Sequence, residues 1–365
     1  MYRDCSVGVV IPAYNEEGFV GDVIADMPAY VDRLYVIDDQ STDDTWTEIR
    51  EAAAADRDVR TDSSGHERAT GQRYARSEDG YAGVATDGGT SALATRARVH
   101  DPIGRVVPIQ HRENLGAGGA IKTGYLAARE DGVDATVTVD ADGQMDLSQM
   151  PRLLDPIVEG TADYTKGNRL LSAEYREAMP RFRFVGNTIL TFLTKVASGY
   201  WKTMDPQNGY TAISQEALES VALEELYEYY GYCNDLLVKL NVEDMAVADV
   251  AMPAVYGDEE SSITYSEYIP KVSTMLLRNF FWRLKTKYLA LDFHPLAFFY
   301  LFGAATASVG VFAGLWTLFI ALSQLSVPFL EGVASVLVFA LGVSLLLFAM
   351  VFDMAQSEQL EAQVY

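Results

Sequence analysis

Val137-Thr138-Val139-Asp140-Ala141-Asp142-Gly143-Gln144 is the stretch on which the reading of the chain turns. The β-branched run predicts a buried strand, and it ends in two carboxylates separated by one small residue. Side chains alternate along a strand, so Asp140 and Asp142 are expected on one side at its carboxyl end. Open α/β sheets bind ligands at that edge. With the amide oxygen of Gln144, the pair makes a hard oxygen cluster suited to Mg²⁺ or Mn²⁺. Alone, Asp-x-Asp reads equally well as an exposed turn, and the surrounding pattern has to decide.

Working outward towards the N-terminus, Val7-Gly8-Val9-Val10-Ile11 is an apolar run followed by Pro12-Ala13-Tyr14-Asn15-Glu16-Glu17 and a helical pattern through Met27. Leu34–Ile37 repeats the theme, ending in Asp38-Asp39-Gln40-Ser41-Thr42-Asp43-Asp44-Thr45 with a helix to about Ala55. Val106–Ile109 is a third strand. The glycines of Asn114-Leu115-Gly116-Ala117-Gly118-Gly119-Ala120 then open a helix to about Arg129 and let backbone approach a ligand closely. Strand alternating with helix at this spacing predicts an α/β fold with a mostly parallel sheet. Between 56 and 105 large apolar residues are few, so that stretch is expected to be a mobile insertion.

Towards the C-terminus, Leu147–Glu159 reads as a helix and Tyr164–Arg169 as a strand. A long helix to about Tyr200 carries Arg181, Arg183 and Asn187 early. Asp205-Pro206-Gln207-Asn208-Gly209-Tyr210 is a turn, Tyr232–Leu240 a helix with Asp235, and Ala246–Met252 a strand. Leu296–Leu322 and Gly332–Phe352 contain no charged residue, and each is long enough to cross a hydrocarbon core of roughly 30 Å. Lys271, Arg278, Arg283, Lys285 and Lys287 precede them among aromatic residues, the pattern of a helix lying in a membrane interface. The expected organisation is a catalytic domain over 1–264, an interfacial helix over 265–291, and a two-span hairpin with a short tail over 292–365. By the positive-inside rule the catalytic domain and tail are expected in the cytoplasm, on a multi-pass protein of the cell membrane.

The 365 residues carry a formal net charge of −23, which disfavours nucleic acid as a partner. Such an acid-rich surface fits a halophilic cytoplasm. Cys5 and Cys233 are far apart in sequence and are expected to be reduced thiols. Gly303, Ala307 and Gly310 share one face of the first span, without a compelling dimer motif, and the oligomeric state stays open.

Six segments, in this order, resemble the family 2 glycosyltransferases with the GT-A fold, and within them the dolichyl-phosphate mannose or glucose synthases of archaea and bacteria. They are Ile11–Glu17, Asp38–Asp43, Asn114-x-Gly116-x-Gly118, Asp140–Gln144, Gly167-Asn168-Arg169 and Asp205-x-Gln207-x-Gly209. The resemblance implies that Pro12, Tyr14, Glu16, Asp39, Asn114, Gly118 and Asp140 line the nucleotide sugar. It implies that Asp140, Asp142 and Gln144 hold the ion on the diphosphate, with Lys122 as a possible supplement. Arg169, Arg183, Asn187 and Gln207 match positions that take the acceptor phosphate. A guanidinium suits that task because it is always charged and donates two parallel hydrogen bonds. Asp142, Arg169, Arg183 and Asp235 are the candidate catalytic residues, Asp235 as general base if the acceptor is a hydroxyl.

The activity so implied is inverting, metal-dependent transfer of a hexose from a UDP- or GDP-sugar to a polyprenyl (dolichyl) phosphate at the cytoplasmic membrane face. A hydroxyl on a lipid-linked sugar is the alternative acceptor, and a catalytically idle membrane-tethered scaffold the alternative of another class. Three departures stand out: Gln40 replaces a small residue, Asp258, Glu259 and Glu260 stand where basic residues are usual, and 56–105 has no counterpart.

Overall fold

The computed structural model describes residues 1–63, 92–171, 181–252, 265–291, 293–324 and 328–365. The expected strands form as β1 (Val7–Ala13), β2 (Arg33–Asp38), β4 (Val106–His111) and β5 (Ala135–Thr138), and β3 (Ala97–Val99) joins them at one edge. Parallel pairing in the order β4-β2-β1-β5 brings their carboxyl ends to one rim. Alternation then builds two apolar layers. Val10, Tyr35 and Ile37 face a core completed by Tyr125 and Leu126 of α4 (Gly116–Asp131). Val9, Ile11 and Val36 face the opposite core, with Val20 and Ile24 of α1 (Val20–Asp26) and Ile49 of α2 (Thr45–Ser63).

The sheet continues through β7 (Thr211–Ser214), β6 (Tyr164–Asn168) and β8 (Val247–Ala251). β7 runs antiparallel to both of its neighbours, so the sheet is mixed. α3 (Ala92–Arg96), α5 (Met150–Val158), α6 (Arg181–Ser198), α7 (Gln215–Ser220) and α8 (Tyr232–Val242) complete this part.

Both ends of the expected insertion are built into the fold. α2 runs on to Ser63, past Ala55, and Leu93 and Ala97 are buried where the chain returns. The tie is ionic. Arg105 makes a fork with Asp56 at 3.1 and 2.8 Å and donates to the carbonyls of Met27, Pro28 and Val31. Apolar periodicity does not register a buried pair of this kind. Residues 64–91 lie outside the described residues, as does the acidic loop Val255–Ser262.

α9 (Tyr265–Arg283) continues as a π-helical segment, Leu284–Leu291. Lys271, Arg278 and Lys285 are exposed on it beside Ile269, Leu277 and Phe281. Arg283 and Lys287 instead turn into the protein. α10 (Leu296–Gln324) and α11 (Phe329–Ser357) contain the two candidate membrane spans, and only 6% and 17% of their most apolar windows are buried. They pack closely on each other. A Cβ added at Gly303 would lie 2.9 Å from the backbone nitrogen of Leu346, and one at Gly310 would lie 2.5 Å from that of Phe339. The small-residue face is thus used inside the hairpin.

The short tail expected after the second span is built into the sheet. β9 (Glu361–Val364) pairs in parallel with β8 and becomes the edge of the same sheet.

Candidate functional site

Four loops meet at the carboxyl rim of β4, β2, β1 and β5. Tyr14 follows β1 half-exposed, with Pro12 on the strand and Glu16 just beyond. Asn15 and Gln40 both take left-handed backbone, at φ 56° and 62°, which turns each loop back across the rim. Their side chains join the loops. Asn15 Oδ1 accepts from the Thr42 N–H at 2.8 Å, and Gln40 accepts from the Asn114 N–H at 3.1 Å. The unusual Gln40 therefore bridges the loops after β2 and β4.

Asp39 is buried and organises the start of α4. Its Oδ1 accepts from the Leu115 N–H at 2.8 Å and Oδ2 from the Gly116 N–H at 2.7 Å. A carboxylate on these donors satisfies otherwise orphaned groups at a helix N-terminus. Oδ1 also meets His111 Nδ1 at 2.6 Å, and His111 Nε2 meets Thr123 at 2.7 Å. Asn114 donates to the Asp39 carbonyl at 3.1 Å. Gly118 lies so close to the 227–228 backbone that a Cβ there would be 2.7 Å from the Glu228 carbonyl carbon. Lys122 is buried and donates to the Glu224 carbonyl at 2.7 Å and to Glu228 at 2.8 Å. It tethers the 224–228 segment.

Beyond the end of β5, Asp140 and Asp142 are half-buried, and Asp142 Oδ1 accepts from the Gln144 N–H at 3.0 Å. Burial and then the charge of Asp142 push the Asp140 carboxyl up to about 7. A buried carboxylate beside a second one fits a divalent cation, whose charge offsets both the burial and the repulsion. Among the described residues no group of three or more His, Cys, Asp or Glu converges as a metal cage. The donor set is two carboxylates and an amide, the kind that leaves coordination sites for substrate phosphates. Gly209 approaches from the Asp205–Tyr210 turn, where a Cβ would stand 3.5 Å from Asp140 Oδ2 and 3.6 Å from the Tyr232 hydroxyl. Tyr232 carried no sequence signal, since its place beside Asp140 depends on that turn.

The remaining candidates are distributed unevenly. Arg169 makes a two-pronged pair with Asp205, Nε to Oδ2 at 2.7 Å and Nη2 to Oδ1 at 2.8 Å, and its N–H adds a third bond at 3.1 Å. Burial favours the neutral acid at Asp205, but Arg169 and Lys166 hold its pKa below the usual carboxylate value. Gln207 lies in the same turn, half-buried. Arg183 and Asn187 fall on α6, and their side chains lie outside the described residues. Asp235 is buried and accepts from the Tyr227 N–H at 2.9 Å and from Asn279 at 2.6 Å, with Lys239 at 3.4 Å. Those contacts knit α8 to α9. Cys5 and Cys233 are both free.

The class is that of a mixed α/β sheet with an acid pair just beyond the carboxyl end of a central strand. The family model described as Glycosyl transferase family 2 matches residues 8–78 and 85–222, more than half of the chain. The chain belongs to that family and is a glycosyltransferase of the GT-A type. It is 26% identical over 256 residues to a UDP-N-acetylglucosamine–dolichyl-phosphate N-acetylglucosaminyltransferase of Methanococcus voltae, covering 70% of this chain and 88% of that protein. It is 27% identical over 182 residues to a polyprenol monophosphomannose synthase of Mycolicibacterium smegmatis, covering 48% and 65%. Among solved structures, a glucosyl-3-phosphoglycerate synthase from Mycobacterium tuberculosis in complex with Mn²⁺, UDP and glucosyl-3-phosphoglycerate aligns at TM-score 0.48 and 18% identity, over 77% of this chain and 80% of that one.

Proposed function

We propose that this glycosyltransferase moves a hexose from a UDP- or GDP-sugar onto a polyprenyl (dolichyl) phosphate at the cytoplasmic face of the cell membrane, with inversion at the transferred carbon. The observation that carries the reading is the acid pair Asp140/Asp142 at the sheet's carboxyl rim, in a chain whose apolar hairpin is followed by a strand that returns to the same sheet. Lipid-phosphate acceptors in the names of the Methanococcus and Mycolicibacterium relatives support it.

In this reading 1–264 is the catalytic domain, 265–291 the interfacial helix and 292–365 the anchoring hairpin with its return strand. Pro12, Tyr14, Glu16, Asp39, Asn114 and Gly118 line the nucleotide, Asp39 by fixing the α4 start that faces it. Asp140, Asp142 and Gln144 hold Mg²⁺ or Mn²⁺, which when bound offsets the charge that builds on the leaving diphosphate. Arg169, oriented by Asp205, acts with Arg183, Asn187 and Gln207 to seat the acceptor phosphate. A phosphate monoester is nucleophilic at neutral pH, so positioning matters more than a general base, and Asp235 keeps its structural bonds. β9 supports a two-crossing hairpin, since its pairing with β8 requires both ends of the hairpin on one side.

The deciding experiment incubates membranes holding the full chain with a panel of labelled nucleotide sugars, Mn²⁺ and dolichyl phosphate. Mass spectrometry of the lipid should show one hexosyl phosphodiester. Label appearing only on lipid-linked sugar hydroxyls would refute the acceptor.

A further inference from the structure

The segment beyond the second apolar helix does more than end the chain. Glu361, the first residue of β9, is buried and aims its carboxylate at three consecutive backbone N–H groups of the loop after α6. Oε1 accepts from Trp201 at 2.8 Å, and Oε2 accepts from Lys202 at 2.6 Å and Thr203 at 3.0 Å. Charge-assisted bonds of this kind are about twice as strong as neutral ones, and three on one carboxylate fix a loop's path.

That loop leads directly to the site. Met204 donates its N–H to Asp249 at 2.7 Å, and Lys166, buried against Asp249 at 3.0 Å, donates to the carbonyls of Met204 and Asp205. Asp205 then holds the guanidinium of Arg169. Three residues on, the Asn208 side chain accepts from the Tyr210 N–H at 3.0 Å, and Gly209 packs beside Asp140. The Trp201–Gly209 path is therefore clamped on one side by the sheet interior and on the other by Glu361.

We propose that Glu361 is a positioning residue for glycosyl transfer. Its carboxylate sets the height of the Trp201–Asp205 loop and, through Asp205, where Arg169 meets the acceptor phosphate. The inference rests on the transfer reading above and adds to it a dependence on the chain's last strand. Loss of the carboxylate displaces the loop by a fraction of an ångström to an ångström, a shift able to cost about tenfold or more at a positioned group.

The test compares the full chain in lipid nanodiscs with Glu361→Gln, Glu361→Asp and, as a control, Glu219→Gln, whose exposed side chain accepts from Gln215 on α7. The readouts are KM for dolichyl phosphate, affinity for the nucleotide diphosphate, and amide hydrogen exchange at 201–203. Glu361→Gln should raise the acceptor KM about tenfold, leave nucleotide affinity unchanged, and speed exchange at the three amides. Glu361→Asp should fall between wild type and Gln, and Glu219→Gln should match wild type. Should the Gln variant fail to fold, the Asp variant decides: a raised acceptor KM supports the proposal and a wild-type KM overturns it. Faster exchange with unchanged kinetics would also overturn it, leaving Glu361 merely structural. Absence of transfer by the wild-type chain itself would instead refute the acceptor assignment.

Discussion

Arg283, at the end of α9, and Asp353, in the last turns of α11, form a fully buried two-pronged ion pair, with both contacts between 2.8 and 2.9 Å. Arg283 also donates to the Val196 and Ala197 carbonyls, and the Tyr288 and Tyr300 hydroxyls reach Asp353. One ion pair thus ties α6, the π-helical segment after α9 and both apolar helices together. Asp353→Ala leaves a buried cation without its partner, which costs about 3–5 kcal/mol. Detergent-solubilised Asp353→Ala protein should unfold well below wild type in a thermal-shift series, and the double variant Arg283→Met/Asp353→Leu should recover most of the loss. A single variant as stable as wild type would show the pair to be dispensable.

In the proposed cation site, Asp140 would link pH to cation binding. Its carboxyl, raised to about 7 in the fold, holds a proton that the unfolded chain has already released. Cation-free protein should therefore lose stability as pH rises from the ordinary carboxylate range through 7. Mn²⁺ displaces that proton, so added MnCl₂ should raise the Tm more at pH 8 than at pH 5. Equal increments at both values would place the ion elsewhere. Asp142→Ala should abolish transfer with circular dichroism unchanged.

Asp235→Asn separates a scaffold role from a base. Its contacts to Tyr227, Asn279 and Lys239 predict a loss of about 1–3 kcal/mol in stability. The folded fraction should turn over close to the wild-type rate. A drop of orders of magnitude in kcat with stability intact would mark it as a general base.

Gly118→Ala tests the close approach of α4 to the 227–228 backbone. With a Cβ 2.7 Å from a carbonyl carbon, the backbone has to move, at about 1–3 kcal/mol. Weaker nucleotide binding in equilibrium titration should accompany the lower Tm.

The strands that build the rim were legible because each is an unbroken apolar run ending in polar residues, as Val7–Ile11 and Val137–Val139 show. The glycines before Ala120 were expected to let a ligand approach the backbone, and at Gly118 the structure places the chain's own 227–228 backbone there. Apolar periodicity failed wherever an ion pair does the burying. Arg105 with Asp56, and Arg283 with Asp353, look like surface charges in one dimension. β9 escaped notice because four residues after a long apolar helix carry no periodic signal, and their strand character comes from β8.

The order of synthesis gives β9 a final consequence. The strand that covers β8 follows both apolar helices in the chain, and until it is made β8 lacks that neighbour, leaving the kind of edge that invites wrong pairing. That edge is covered only once Glu361–Val364 folds back onto β8, so this part of the sheet is completed after both apolar helices have been made.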